Sequence, residues 1–195
     1  MRLNCTINGS QYSLVVNSDK PLSQILKEEI LTFSENSQCN GASCGNCIVL
    51  LNGSAVLSCL VPAFKLNGAS ILTFEGFQKT RFCHDIERAY ADIGNQPCPQ
   101  CYPSKTMIIE SILKKVDKEN QNRITGFALG SQPGEGSSST NEQAARTRSG
   151  VGNISTDLIA REMVMSSCKC IEISDLEKII NLAYRYRSRR RARRS

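Results

Sequence analysis

The sequence predicts an α+β chain, strand-rich at its N-terminal end and helical thereafter. Two patterns carry that expectation. Over the first 78 residues apolar side chains alternate with polar ones and are punctuated by Asn-Gly pairs. From about Arg81 the apolar period lengthens from 2 to 3.6. A third observation concerns chemistry: eight of the ten cysteines fall into two sets of four.

The strand-rich part begins with Leu3, Cys5 and Ile7 alternating with polar residues. Asn8-Gly9 follows as a turn, and Tyr12 to Val16 reads as the returning strand. Cys5 points inward in this register, as a buried thiol does. Pro21 opens a helix with Leu22, Ile25, Leu26 and Ile30 on one face. A loop of Cys, Gly, Asn and Ser runs from Ser37 to Asn46. A second hairpin, Ile48–Leu51 and Ala55–Leu57, turns at Asn52-Gly53, and Ser70 to Phe74 reads as a last strand. Hairpin, helix, loop and further strands together suggest a β-grasp arrangement for residues 1–78.

Residues 79–195 read as four helices, a small bundle. Ile86, Ala89, Tyr90 and Ile93 mark the first; Ile108, Ile109, Ile112, Leu113 and Val116 the second. Leu158, Ile159 and Met163 mark the third. Ser174 to Glu177 has the form of a capping box ahead of the fourth, which carries Leu176, Ile179, Ile180, Ala183 and Tyr184. Residues 131–153 are rich in Gly and Ser and almost free of large apolar groups. They are expected to form a flexible insertion. Seven arginines and no acid occupy Arg185 to Ser195, so the net charge of +6 belongs to this tail and the rest of the chain carries −1. Such a block is expected to be solvated rather than to bind nucleic acid, since no aromatic platform accompanies it.

Composition narrows the function. A single His, no Ser/His/Asp set, no Gly-rich phosphate loop and no carboxylate pair at catalytic spacing leave no catalytic centre in the chain. The N-terminal MRLNCTINGS lacks the apolar run of a signal peptide, and no stretch of 18 apolar residues is present. Ten cysteines without an export signal point to metal ligation rather than to disulfides, and to the cytoplasm.

The first set is Cys39-x4-Cys44-x2-Cys47 with Cys59. This is the plant-type spacing for a [2Fe–2S] cluster. Three thiolates come from one tight loop and the fourth from a hairpin end. Gly41 and Gly45 let backbone N–H groups turn toward the sulfurs. A structural zinc site would normally show two close pairs instead. The second set pairs Cys98-x2-Cys101 with Cys168-x-Cys170, each pair just before a helix whose positive end favours thiolates. By spacing alone this set suits zinc or a redox dithiol as well as iron–sulfur. Of the remaining thiols, Cys83 stands at a helix start, beside the single His84.

With these residues in order, the chain resembles the iron–sulfur subunits of the molybdenum hydroxylases: xanthine dehydrogenase, aldehyde oxidase and carbon monoxide dehydrogenase. Cys39 to Gly53 is similar to the family's first cluster loop and hairpin, and Ser58-Cys59-Leu60 to its fourth-ligand segment. Thr73 to Phe77 is similar to the end of its ferredoxin-like domain. Cys98-x2-Cys101-x-Pro103 and Cys168-Lys-Cys170 are similar to its second-cluster motifs. The resemblance implies a ferredoxin-like [2Fe–2S] domain followed by a four-helix [2Fe–2S] domain. It also implies a large partner subunit with molybdenum–pterin and a medium partner subunit with FAD. Electrons would pass from molybdenum through the Cys98, Cys101, Cys168, Cys170 cluster, then the Cys39, Cys44, Cys47, Cys59 cluster, to FAD. The chain departs from the family in three places. Pro97 replaces a glutamine that contacts the pterin, Pro99 replaces a glycine, and Ile171-Glu172-Ile173 replaces a Thr-Gly pair. Both prolines remove backbone donors. The alternatives are a free-standing two-cluster carrier and a zinc-binding interaction module.

Overall fold

The structure, a computed structural model, describes residues 1–30, 44–128 and 154–193, with the side chains of 123–128 outside that description. Cys39 and the expected insertion at 131–153 therefore lie outside the described residues.

Two Asn-Gly turns set the strand framework. Asn8 and Asn52 have φ of 51°, and the following Gly9 and Gly53 have 87° and 88°. This double positive-φ geometry is what a two-residue hairpin needs and what Asn-Gly tolerates best. The first turn joins β1 (Arg2–Ile7) to β2 (Ser10–Val15), and the second joins β3 (Ile48–Leu51) to β4 (Ser54–Leu57). β5 (Ser70–Leu72) lies between the hairpins, parallel to β1 and antiparallel to β3, giving the order β2-β1-β5-β3-β4.

The last strand is shorter than expected. Asn8 reaches across from the first turn, accepting from the Thr73 N–H at 2.9 Å and donating to Thr73 Oγ1 at 3.1 Å. That pairing ends the strand, and residues Phe74–Phe77 form a helical turn, α2.

Alternation along β3 gives the sheet two working faces. Val49 faces Leu3, Cys5, Ile7 and Ile71, and this face is covered by α1 (Leu22–Ile25) and its continuation Leu26–Ile30 in wider turns. Leu22, Ile25 and Leu26 have no exposed surface, each worth about 1.5–3 kcal/mol of apolar burial. Ile48 and Leu50 face the other way, into a core built with α3 (Arg81–Ile93), α4 (Tyr102–Ala128), α5 (Thr156–Met163) and α6 (Ile173–Ala192). Ser111 of α4 accepts the Ala55 N–H at 3.0 Å, tying that helix to the sheet edge.

Helix starts follow local rules in two cases and not in a third. Thr80 caps α3 through the Cys83 N–H, and Ser155 caps α5 through the Asp157 N–H. The expected capping box at Ser174 does not form. α6 begins one residue earlier, at Ile173, and the Ser174 hydroxyl donates to Glu172 instead. Among the described residues no helix is long and apolar enough to cross a membrane.

The basic tail differs most from expectation. It continues α6 to Ala192, well past the Tyr184–Arg187 start that the pattern allows to prolong that helix, and several of its arginines are paired rather than solvated. The cause is acidic partners on neighbouring helices. Arg187, only 1% exposed, pairs with the buried Glu110 of α4 and lies over the Phe82 ring at 4.8 Å. Arg190 reaches Asp85 at 2.7 Å, and Arg191 grips Asp117 with both terminal nitrogens at 2.9 and 2.7 Å. Burial pushes the Glu110 carboxyl up, and the adjoining guanidinium opposes it.

One contact joins the cysteine loop ahead of β3 to the helical half. Gly45 is buried with φ of 72°, and a Cβ there would sit 2.8 Å from Ser166 Cα as well as against the Met165 carbonyl. Beside it the Ser167 hydroxyl donates to the Cys44 carbonyl at 3.1 Å.

Arg187→Met should lower unfolding free energy by about 3–5 kcal/mol, because the buried Glu110 loses its close guanidinium partner and keeps only the more distant Lys114 at 3.9 Å. The double variant Arg187→Met/Glu110→Leu should recover most of that loss in urea denaturation. Gly45→Ala should lower Tm by at least about 2–4 °C, since the φ and the close backbone both oppose a side chain.

Candidate metal centre

The second cysteine set is brought together by two helix starts. α4 begins directly after Cys101, and α6 begins three residues after Cys170. The turn before α4 closes through Cys101 and Tyr102 N–H groups donating to the Cys98 carbonyl, both at 2.9 Å. Four sulfurs, from Cys98, Cys101, Cys168 and Cys170, then lie within 4.8 Å of one another. Among the described residues this is the one place where three or more such ligand atoms converge.

Three contacts hold the two loops in register. Lys105, one turn into α4 and only 3% exposed, donates to the Cys168 carbonyl at 2.9 Å. The Cys98 N–H points at Cys170 Sγ at 3.4 Å. Asn95, just past the end of α3, donates to Asp175 in the first turn of α6 at 2.8 Å. Tyr102, the residue after Cys101, is held by other rings. Its ring meets Phe74 edge-on at 6.0 Å and Tyr90 at 5.5 Å, and Tyr90 in turn hydrogen-bonds Thr106.

The electrostatics suit thiolate ligation. The Cys101 backbone and then its side chain pull the Cys98 thiol down to about 7. Burial pushes Cys101 and Cys170 up, with neighbouring sulfurs adding to the rise. A group carrying positive charge would remove that conflict by taking all four as thiolates. The buried Lys105 ammonium works in the same direction at Cys170. Four convergent sulfurs with a cation beside them therefore fit an iron–sulfur group, and by distance alone they would also fit a single tetrahedral ion.

The first set is placed less completely. Cys44, Cys47 and Cys59 are described, and Cys39 is not. Cys47 is buried at the start of β3. Its carbonyl accepts from both the Ser58 N–H at 3.0 Å and the Ser58 hydroxyl at 2.7 Å. That clamp brings Cys59 to the same corner as Cys47. The described three do not by themselves form a convergent group of the kind seen at Cys98.

The other thiols are core residues. Cys5 is 6% exposed, in the inward register expected for it. Cys83 is fully buried, and burial with Glu87 close by pushes its thiol up to about 12, which makes it unreactive. His84 is exposed and faces Glu87 at 2.9 Å, one turn along α3. Sequence reasoning did not single out Lys105, Asn95 or Ser167. A lysine in the first turn after a Cys pair was the one available signal; the other two depend on pairings across the fold.

No family model matches the chain. The xanthine dehydrogenase iron–sulfur-binding subunit of Escherichia coli O157:H7 is 36% identical over 113 residues, 58% of this chain and 70% of that protein. The nicotinate dehydrogenase small FeS subunit of Eubacterium barkeri is 26% identical over 123 residues, 63% of this chain and 78% of that protein. Among solved structures, the aldehyde oxidoreductase of Desulfovibrio gigas superposes with a TM-score of 0.67 at 18% identity. That match covers 97% of this chain and 17% of the much longer enzyme, and it speaks to fold alone. With sequence identity of this extent, and with the cysteines gathered as described, the chain belongs to the family of xanthine dehydrogenase-type iron–sulfur-binding subunits.

Proposed function

We propose that the chain is the electron-transfer subunit of a cytoplasmic molybdenum hydroxylase and holds two [2Fe–2S] clusters. Cys98, Cys101, Cys168 and Cys170 would hold the cluster nearer a molybdenum–pterin subunit. Cys39, Cys44, Cys47 and Cys59 would hold the one nearer an FAD subunit. The observation that carries this reading is the convergence of four sulfurs from two loops far apart in sequence, in a chain of this family. When bound, a cluster of this kind takes up and returns one electron at a time.

The chain's own residues do the rest. Eight thiols supply the ligands. Lys105 places a buried positive charge beside the second set and fixes the Cys168 carbonyl. Tyr102, directly after Cys101, anchors its loop through ring contacts with Phe74 and Tyr90. Ser58 holds Cys59 next to Cys47. In this reading residues 1–78 form a β-grasp, ferredoxin-like domain and residues 79–195 a four-helix domain. The strand order with β5 between two hairpins supports the first half, and α3 to α6 around one core support the second.

Iron, zinc and acid-labile sulfide per chain, measured on anaerobically purified protein with EPR after dithionite reduction, test the reading. About four iron and four sulfide with two distinct signals are expected. Cys101→Ser should remove one signal and about half the iron and leave the other signal intact. Chains containing flavin and molybdenum–pterin should co-purify. Zinc without sulfide would overturn the proposal.

A further inference from the structure

Seven arginines lie in the last stretch of the chain, and the fold uses only some of them on itself. Arg187, Arg190 and Arg191 turn inward to Glu110, Asp85 and Asp117. Arg185, Arg189 and Arg193 do the opposite. All three are exposed, and among the described residues none of them forms an ion pair with a carboxylate. They stand four residues apart, Arg185 and Arg189 within α6 and Arg193 at its C-cap. At 3.6 residues per turn they make one row along one side of the helix, about 12 Å long. Like charges four apart repel, so the row by itself weakens the helix. The helix persists because the three inward arginines tie the same turns to α3 and α4. The outward positions are thereby held at a fixed spacing before any partner arrives, which lowers the ordering cost of meeting one.

The surroundings of the row decide which anion it suits. Phe82 is covered by Arg187 and Arg190 at 4.8 and 5.2 Å, and Tyr186 by Arg88 at 4.5 Å. The Tyr186 hydroxyl donates to Asp92. Both rings are therefore occupied, whereas single-stranded nucleic acid needs open aromatic faces on which its bases stack. The positive charge is also confined to this helix end, since the chain ahead of Arg185 carries −1. A phosphate backbone is held by a wider field than that. Guanidinium forks instead match carboxylates two bonds at a time. A short, straight row of them complements the acidic patch of a folded polypeptide.

We infer that Arg185, Arg189 and Arg193 form a docking surface for an acidic patch on a partner chain of the assembly. This rests on the subunit reading above. Helix α6 then works on two faces. Its inward arginines set the register of the bundle, and its outward arginines meet the partner. Exposed charge contacts of this kind speed encounter and weaken as salt rises.

The test compares the purified assembly containing the wild-type chain with one containing Arg185→Gln/Arg189→Gln/Arg193→Gln. Sedimentation over a dilution series and over rising NaCl reads the strength of association. Arg187, Arg190 and Arg191 remain, so helix content and Tm should be retained, which circular dichroism checks. A control variant, Arg2→Gln/Lys27→Gln/Lys65→Gln, removes the same charge from exposed positions in the sheet half. The α6 variant should weaken the assembly about tenfold at low salt and flatten its salt dependence, and the control should leave both unchanged. An α6 variant that assembles like wild type would overturn the proposal. So would an equal loss in the control, because net charge alone would then be acting. Binding of a single-stranded RNA oligonucleotide that vanishes in the α6 variant while assembly is unchanged would assign the row to nucleic acid and overturn it too. A wild-type chain that purifies without any partner would overturn the subunit reading and the docking surface with it, a result visible before any variant is made.

Discussion

The site at Cys98 exists only because two helix-start loops, separated by most of the helical half, are forced to the same end of the core. Each cysteine pair is local and easily formed. Their meeting is not, and it depends on α4 and α6 being held in one register along their lengths. At the sulfur end, Lys105 and Asn95 make that connection through the Cys168 carbonyl and Asp175. At the far end, Arg187, Arg190 and Arg191 of α6 meet Glu110, Asp85 and Asp117 of α4 and α3. The apolar core between them fixes the spacing, and the ionic contacts fix the sliding position.

Buried ion pairs add little net stability compared with apolar packing of the same volume, because both charges must be stripped of water. Their stronger effect is selective. A one-turn slip of α6 would leave Glu110 and Arg187 buried and unpaired, a state far costlier than the native one. The Phe82 ring beneath Arg187 and Arg190 adds a cation–π surface that only the native register satisfies. Specification of this sort suits a chain in which the loops leading into α4 and α6 bring four sulfurs together.

The sheet meets the helices with equal economy of parts. β3 alone serves two cores, with Val49 on one face and Ile48 and Leu50 on the other. The cysteine loop immediately before it is pressed against the segment before Cys168 at Gly45. Any movement of the helices against the sheet would therefore be felt at both cysteine sets. Tyr102 reinforces this from the opposite side, since it follows Cys101 directly and packs on Phe74 at the end of the strand region.

Much of this was legible in the sequence, and the reason is that the legible parts are local. The two Asn-Gly turns, the strand alternation and the four helical segments each depend on neighbours a few residues away. The spacings Cys98-x2-Cys101 and Cys168-x-Cys170 did too, since each pair sits within one short loop ahead of a helix. What the sequence misread was decided by partners distant in the chain. The arginine tail reads as solvated in isolation and becomes helix because Glu110, Asp85 and Asp117 lie opposite it. The last strand stops at Leu72 because the Asn8 side chain claims Thr73. The capping box at Ser174 fails because α6 starts at Ile173, which puts Ser174 inside the first turn with its hydroxyl donating back to Glu172. The sequence by itself therefore determined most of the elements and set two close cysteine pairs just ahead of α4 and α6. Only the tertiary structure decided which loops meet, where a buried lysine stands beside the sulfurs, and through which serine the two halves touch. Those are contacts between segments far apart in the chain, and no local pattern encodes them.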